Sequence, residues 1–379
     1  MKNLYYTGLI GLALFEIMNV YFIMPMPGSQ QRNAIDFAYF LYTWRWVFRI
    51  VFGLMILLGS IWAFRATRKW IAAVALIVVV VIAYMFNFRM SADHMFLQPA
   101  NLVFKSRAEN TLGDSSIVVA VSVKGDSKAY PIRFIQYHHQ VRDSIGGKAI
   151  MVTYCNVCRT GRVFEPVVNG KAENFRLVGM DHFNALFEDT STKSWWRQAT
   201  GEAITGPLKG SVLTEVDSYQ LTLNKFFSTY PFGKVMQAEL ASEEHYDTLG
   251  KFERGKSTGK LTRTDSTSWQ KKSWVLGIVS EGKSKAYDWI ELKKLGILND
   301  EISGTPLVIL ISADGHSFAA FKRPGDEAFK LENDSLVSAQ NKFGFDGRAK
   351  DGTSLPRVNV YQEFWHSWKQ FHPGTAVYP

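Results

Sequence analysis

Cysteine is nearly absent: the 379 residues hold two, Cys155 and Cys158, so thiol chemistry anywhere outside that one pair is excluded. The phosphate-binding loop, the dinucleotide-binding glycine fingerprint and the Gly-x-Ser-x-Gly nucleophile elbow are also missing, which removes the sequence basis for those nucleotide and hydrolase classes. Neither sign of charge dominates. Forty-three Lys and Arg against 34 Asp and Glu leave a net charge of +9, modest for this length. No basic helix or aromatic-basic platform accompanies it, so nucleic acid is not an expected partner. With 47% hydrophobic and 20% charged residues the chain is not disordered by composition and is long enough for two or three domains.

The apolar residues crowd the front. Leu4 to Met24, about Trp46 to Phe64 and Trp70 to Phe86 each approach the ~20 residues that cross a bilayer, so three membrane helices are expected over residues 1–88. No small-residue cleavage site follows Met24, which makes the first span an uncleaved anchor. Arg65, Arg68 and Lys69 between the second and third spans outweigh Arg32 and Asp36 between the first two. The basic loop should therefore be cytoplasmic, with the N-terminus inside. Everything after about residue 90 then lies on the outer, periplasmic side of an inner or plasma membrane, in an oxidising compartment. Glu16, Arg45 and Arg49 are charges at membrane depth. Their ordinary reading pairs Glu16 with Arg49 and lets Arg45 reach the interface. Just beyond the third span, Met90, His94 and Met95 are ligand types that suit copper, although thioethers there more often pack against apolar neighbours.

From residue 113 the pattern turns to strands. Ile117 to Val123 and Ser127 to Pro131 form a hairpin across Lys124-Gly125-Asp126, and a helix from about Ile132 to Val141 carries His138 and His139. The β-branched Val152 and Thr153 before the cysteines, and Arg162-Val163-Phe164 after Gly161, place Cys155 and Cys158 on a knuckle between two strands. Trp195 and Trp196 and the stretch Gly201 to Pro207 read as core and turns.

The chain resembles itself. Gly125-Asp126-Ser127-Lys128-Ala129-Tyr130 recurs as Gly282-Lys283-Ser284-Lys285-Ala286-Tyr287, an offset of 157 residues that also sets Asp143 on Asp300 and Gly147 on Gly304. The expected architecture is thus a three-helix transmembrane region followed by a β-rich (α+β) soluble region of two repeated units, 105–236 and 273–379. Residues 237–272 form a polar connection that places His245 and Tyr246 in solvent. Shared positions such as Asp143 and Asp300 read as turn-capping scaffold. At the same offset Cys155 meets Ser312, Cys158 meets Gly315 and His138 meets Leu295. Site chemistry is confined to the first copy.

The region from about residue 105 to 379 resembles the family of domain of unknown function 3179. The residues that carry the likeness are Ala129-Tyr130-Pro131, His138 to Asp143, Val152 to Cys158 with Gly161, Ser194-Trp195-Trp196-Arg197-Gln198, and Gly201 to Pro207. The chain departs from the usual pattern at Asn156-Val157, where the family has Pro-Leu, at Arg159, where it has Gly, and at His139, where it has Glu. The resemblance implies the fold and the place of the site, and no activity.

Three functions fit these residues. The first is a membrane-anchored metal site, copper before zinc, with Cys155 and Cys158 as thiolate ligands, His138 as a third, and His139, Met90, His94 and Met95 as accessories. A c-type haem is disfavoured because Arg159, not His, follows the second cysteine. The second is a thiol-disulfide oxidoreductase acting through Cys155 and Cys158, with Arg159 and Arg162 lowering a thiol pKa. Against it, such motifs belong at a helix start. The third is a binding or scaffolding module in which the cysteines form a strained staple or stay as small buried groups. The lipid bilayer is the expected partner, with a membrane or periplasmic protein as a further one.

Overall fold

A computed structural model of the chain describes residues 1–378 apart from Thr67, Thr248 and Gln340. It divides into two compact units, one of residues 1–97, 173–197 and 202–212, the other of residues 98–172, 198–201 and 213–379.

The first unit holds three helices long and apolar enough to cross a membrane, Lys2–Tyr21, Arg45–Arg65 and Lys69–Arg89. Leu57, Ile61, Ile77 and Val80 point outward from the second and third, as lipid-facing side chains do. Small residues let the first two helices approach: a Cβ on Gly59 would lie 2.4 Å from the backbone nitrogen of Tyr5. Glu16 and Arg49 do pair. Arg49 Nε donates to Glu16 Oε1 at 2.7 Å and Nη2 to Oε2 at 2.9 Å, while Asn87 Nδ2 donates to Oε2 at 2.9 Å. Arg45 Nη1 donates to the Tyr42 carbonyl at 2.6 Å.

The first unit also contains an antiparallel four-stranded sheet of Phe175–Asp181, Asn184–Asp189, Trp195–Arg197 and Ala203–Thr205. Residues 177–207 were expected beside the cysteine unit. All but residues 198–201 group instead with the N-terminal segment, because Val178, Leu186, Trp195 and Ile204 share a core with Ile23 and Ala38. Tyr39 stands edge-on to Trp195 at 5.1 Å. The Trp pair is core, and its indole nitrogens donate at 2.9 Å to Glu188 and Asp189.

The second unit is β-rich. Strands β1 (Ile117–Val123) and β2 (Asp126–Pro131) form a hairpin, followed by helix α1 (Ile132–His138) and the antiparallel run β3 (Gln140–Ile145), β4 (Lys148–Cys155) and β5 (Thr160–Phe164). Then β6 (Ser218–Thr222) pairs with β1, α2 (Leu223–Thr229) follows, and β7 (Lys234–Met236) lies parallel to β2. The same succession of element types follows once more: hairpin β8 (Trp274–Ser280) and β9 (Lys283–Asp288), helix α3 (Trp289–Leu295), and strands β10 (Ile297–Ile302), β11 (Thr305–Ile311) and β12 (Phe318–Lys322). Strand β13 (Val360–Phe364) pairs with β8, α4 (Trp365–Phe371) follows, and β14 (Ala376–Val377) lies parallel to β9.

Local chemistry sets the boundaries. Asp288 caps α3 by accepting from Glu291 N at 3.0 Å, and Gly296 ends it at φ 71°. Helix α1, expected to reach Val141, stops at His138 because His139 takes the left-handed conformation, φ 60°. Asp143 and Asp300 are scaffold, but they tie strands together rather than cap turns. Tyr130 Oη and Lys128 Nζ donate to Asp143 at 2.7 and 2.8 Å, and Tyr287 Oη and Lys285 Nζ reach Asp300 at 2.8 and 2.6 Å. The core joins Val118, Ala129, Leu221 and Phe226 to Val308, Leu310 and Phe321.

Candidate functional site

Cys155 ends β4 and pairs across the ladder with Thr160 at the start of β5, so residues 156–159 form the knuckle the sequence implied. Both cysteines are fully buried thiols with no disulfide between them. Arg159 closes the turn at φ 58°, a conformation costly for a side-chain-bearing residue. It is held there by its guanidinium, which donates to Gln362 Oε1 at 3.2 Å and to the carbonyls of Phe252 and Glu253 at 3.0 Å. Its charge also lies 3.6 Å from the Trp274 ring centre.

The knuckle is closed by β13 and α4, about 200 residues downstream. Phe364 N donates to the Cys158 carbonyl at 2.8 Å. The Ser367 hydroxyl is in hydrogen-bond contact with the Cys158 thiol, which also bonds to Cys155. Ser367 Oγ donates in turn to Glu363 Oε1 at 2.5 Å. Arg162 Nη2 reaches Glu363 Oε2 at 3.3 Å, both side chains being buried. Burial pushes the Glu363 carboxyl above the usual carboxylate range, with Arg162 working against it. Burial likewise raises the Cys158 thiol well above its usual value, and its hydrogen bond and charge interaction with Cys155 add to this. The expected lowering of a thiol by Arg159 and Arg162 is overridden at Cys158, where desolvation dominates.

Lys272 approaches from the connection, donating from Nζ to the Val157 carbonyl at 2.8 Å. Burial lowers its pKa to about 8, against the pull of the two cysteines. The connection is less solvated than its composition implied. Tyr246 and Phe252 are buried, and Glu253 accepts from the Ile117 backbone. Aromatic anchors among the charges make the difference.

His138 is buried, and its Nε2 lies 2.5 Å from the Tyr246 hydroxyl. His139 is buried too, with Nδ1 3.1 Å from the Tyr137 carbonyl, and burial lowers its pKa to about 4. Met90, His94 and Met95 belong to the other unit, where His94 and Met95 are exposed and His94 Nδ1 is 3.4 Å from Asp93. Among the described residues, no three His, Cys, Asp or Glu side chains are grouped to hold a metal ion.

Ser367, Glu363 and Lys272 were not anticipated. They lie more than 100 residues from the cysteines, and nothing in their local pattern marks them. A faint signal exists in the recurring strand-to-helix corner, where Glu363 precedes Phe364 and α4 while Leu221 precedes Thr222 and α2.

No curated protein and no solved structure matches the chain significantly. The model of one family, described as a protein of unknown function (DUF3179), matches residues 98–375, most of the chain. The chain is therefore a member of the DUF3179 family, carrying three apolar helices ahead of the family region.

Proposed function

We propose that this chain is a membrane-anchored redox protein whose soluble region lies outside the cytoplasm and whose Cys155 and Cys158 cycle between two thiols and a disulfide. One observation carries the reading: a thiol, a hydroxyl and a carboxyl in sequence, Cys158 to Ser367 to Glu363, all buried. A buried thiol is a poor nucleophile until it loses its proton, so a carboxylate within reach through one hydroxyl is the group such a thiol requires.

In the oxidising direction, the Cys155 thiolate attacks a sulfur of an acceptor disulfide, and the displaced acceptor sulfur takes up a proton. Cys158 then passes its proton through Ser367 to Glu363, and its thiolate displaces the acceptor's second sulfur. Two electrons and two protons leave the pair, the Cys155–Cys158 bond forms, and the acceptor becomes a dithiol. The Lys272 ammonium favours the thiolate while it exists.

Reading the soluble region as two copies of one unit favours this place for function. The corner β13–α4 closes the knuckle of Cys155 and Cys158, and the corner β6–α2 meets the corresponding knuckle, where Thr222 N donates to Ser317 Oγ at 2.8 Å. Scaffold contacts recur in both halves, whereas the Cys, Ser and Glu series stands at one knuckle. The test is equilibration of the detergent-purified full chain with dithiothreitol buffers, followed by thiol counting. A reversible two-electron transition lost in Cys155→Ser is expected. Stoichiometric copper or zinc, lost on either Cys155→Ser or His138→Ala, would replace this reading with a metal site.

A further inference from the structure

Beside the dithiol, on the far side of Arg162, lies an open polar cleft of about 500 Å3, within the size range of small-molecule sites. Arg162, Lys322, Arg357 and His372 line it, with Glu215 and Glu281. Arg162 is almost fully buried. Its Nε donates to the Ala199 carbonyl at 3.0 Å, its Nη2 faces Glu363, and its plane lies 3.1 Å from the Tyr361 ring centre. Its Nη1 has no hydrogen-bond partner among the described residues. Arg357 repeats the pattern: Nη2 donates to the Ser218 carbonyl, the guanidinium stacks on Tyr219, and Nε is left without a partner. His372 Nε2 is a third such atom on the same cleft.

Unmet buried donors are uncommon in folded proteins, and two guanidinium donors plus an imidazole nitrogen on one cleft call for an acceptor from outside the chain. The acidic residues do not supply it. Glu281 is the ion-pair partner of Lys322 at 3.9 Å, and Glu215, whose charge is felt by Arg162 and Arg357, hydrogen-bonds to the Tyr361 hydroxyl and leaves Arg162 Nη1 and Arg357 Nε unmet. We propose that the cleft binds a small molecule through an oxyanion, carboxylate or phosphate, seated on Arg162 and Arg357 with Lys322 at the rim. Guanidinium forks suit both groups. This goes beyond the redox reading and stands whether or not the thiols cycle.

The experiment is isothermal titration of the full-length protein in detergent with inorganic phosphate and, separately, succinate, at ionic strength held constant with chloride. Saturable binding of either anion is expected, and which one binds identifies the group. Affinity should fall by about tenfold or more in Lys322→Gln and in Arg357→Lys, the latter keeping the charge but losing the fork. It should be unchanged in the Cys155→Ser/Cys158→Ser double variant, which separates this proposal from the thiol reading. No saturable binding of either anion up to about 10 mM, weaker than most metabolite sites, would overturn it. So would affinity unaltered by both cleft substitutions, which would leave the cleft to water.

Discussion

Arg159 occupies a left-handed position, a conformation that favours glycine, and the structure accounts for an arginine there. Three hydrogen bonds to Gln362, Phe252 and Glu253, with the Trp274 face, hold the guanidinium. Arg159→Gly should relieve about 1 kcal/mol of backbone strain and still lose about 2–3 kcal/mol net, because the carbonyls it serves are buried. Chemical denaturation checks this, and a neutral or stabilised variant would contradict the anchoring role. His139 gives a pH prediction. Its folded pKa of about 4 lies below the ordinary 6.5, so the unfolded chain binds more protons between those values. The stability it contributes is complete above pH 6.5 and is lost as pH falls towards 4. Glu253 and Glu363, raised by burial, act in the opposite sense above the carboxylate range. Asparagine suits φ 60° and does not titrate there, so His139→Asn should flatten the acid slope of Tm by about one proton's worth.

Among elements, the first two long apolar helices offer a paired test. A side chain at Gly59 meets the Tyr5 backbone, whereas one at Gly53, on the same helix, meets nothing within 4 Å. Gly59→Leu should therefore destabilise the helical unit in detergent by more than about 2 kcal/mol, and Gly53→Leu should be tolerated. Circular dichroism melting decides between them, and equal losses would contradict the close packing.

The elements were legible where the local pattern is strong: apolar length gave the three helices, and β-branched runs around the cysteines gave the knuckle. The tryptophan sheet and the connection were misplaced because composition does not say which core an aromatic joins. Trp195 packs with Ile23 and Ala38, and Tyr246 and Phe252 turn inward from a charged stretch. Ser367 and Glu363 were hidden for a related reason. They reach the thiols through strand order, which no spacing reveals.

At the scale of the molecule, the balance of basic residues between the spans predicts that the region after residue 90 faces away from the cytoplasm. A C-terminal epitope tag should be reached by an impermeant antibody on intact spheroplasts, and protection of the tag until lysis would contradict it. If the proposed dithiol is served by the buried Glu363 carboxyl, the rate of disulfide closure depends on that carboxyl. Fully reduced full-length protein and its Glu363→Gln variant would be mixed with oxidised glutathione, and remaining thiols counted over time. Closure is expected in both, with the variant slower by about tenfold or more because the proton acceptor is gone. Equal rates, or thiols that never oxidise in the folded protein, would contradict it.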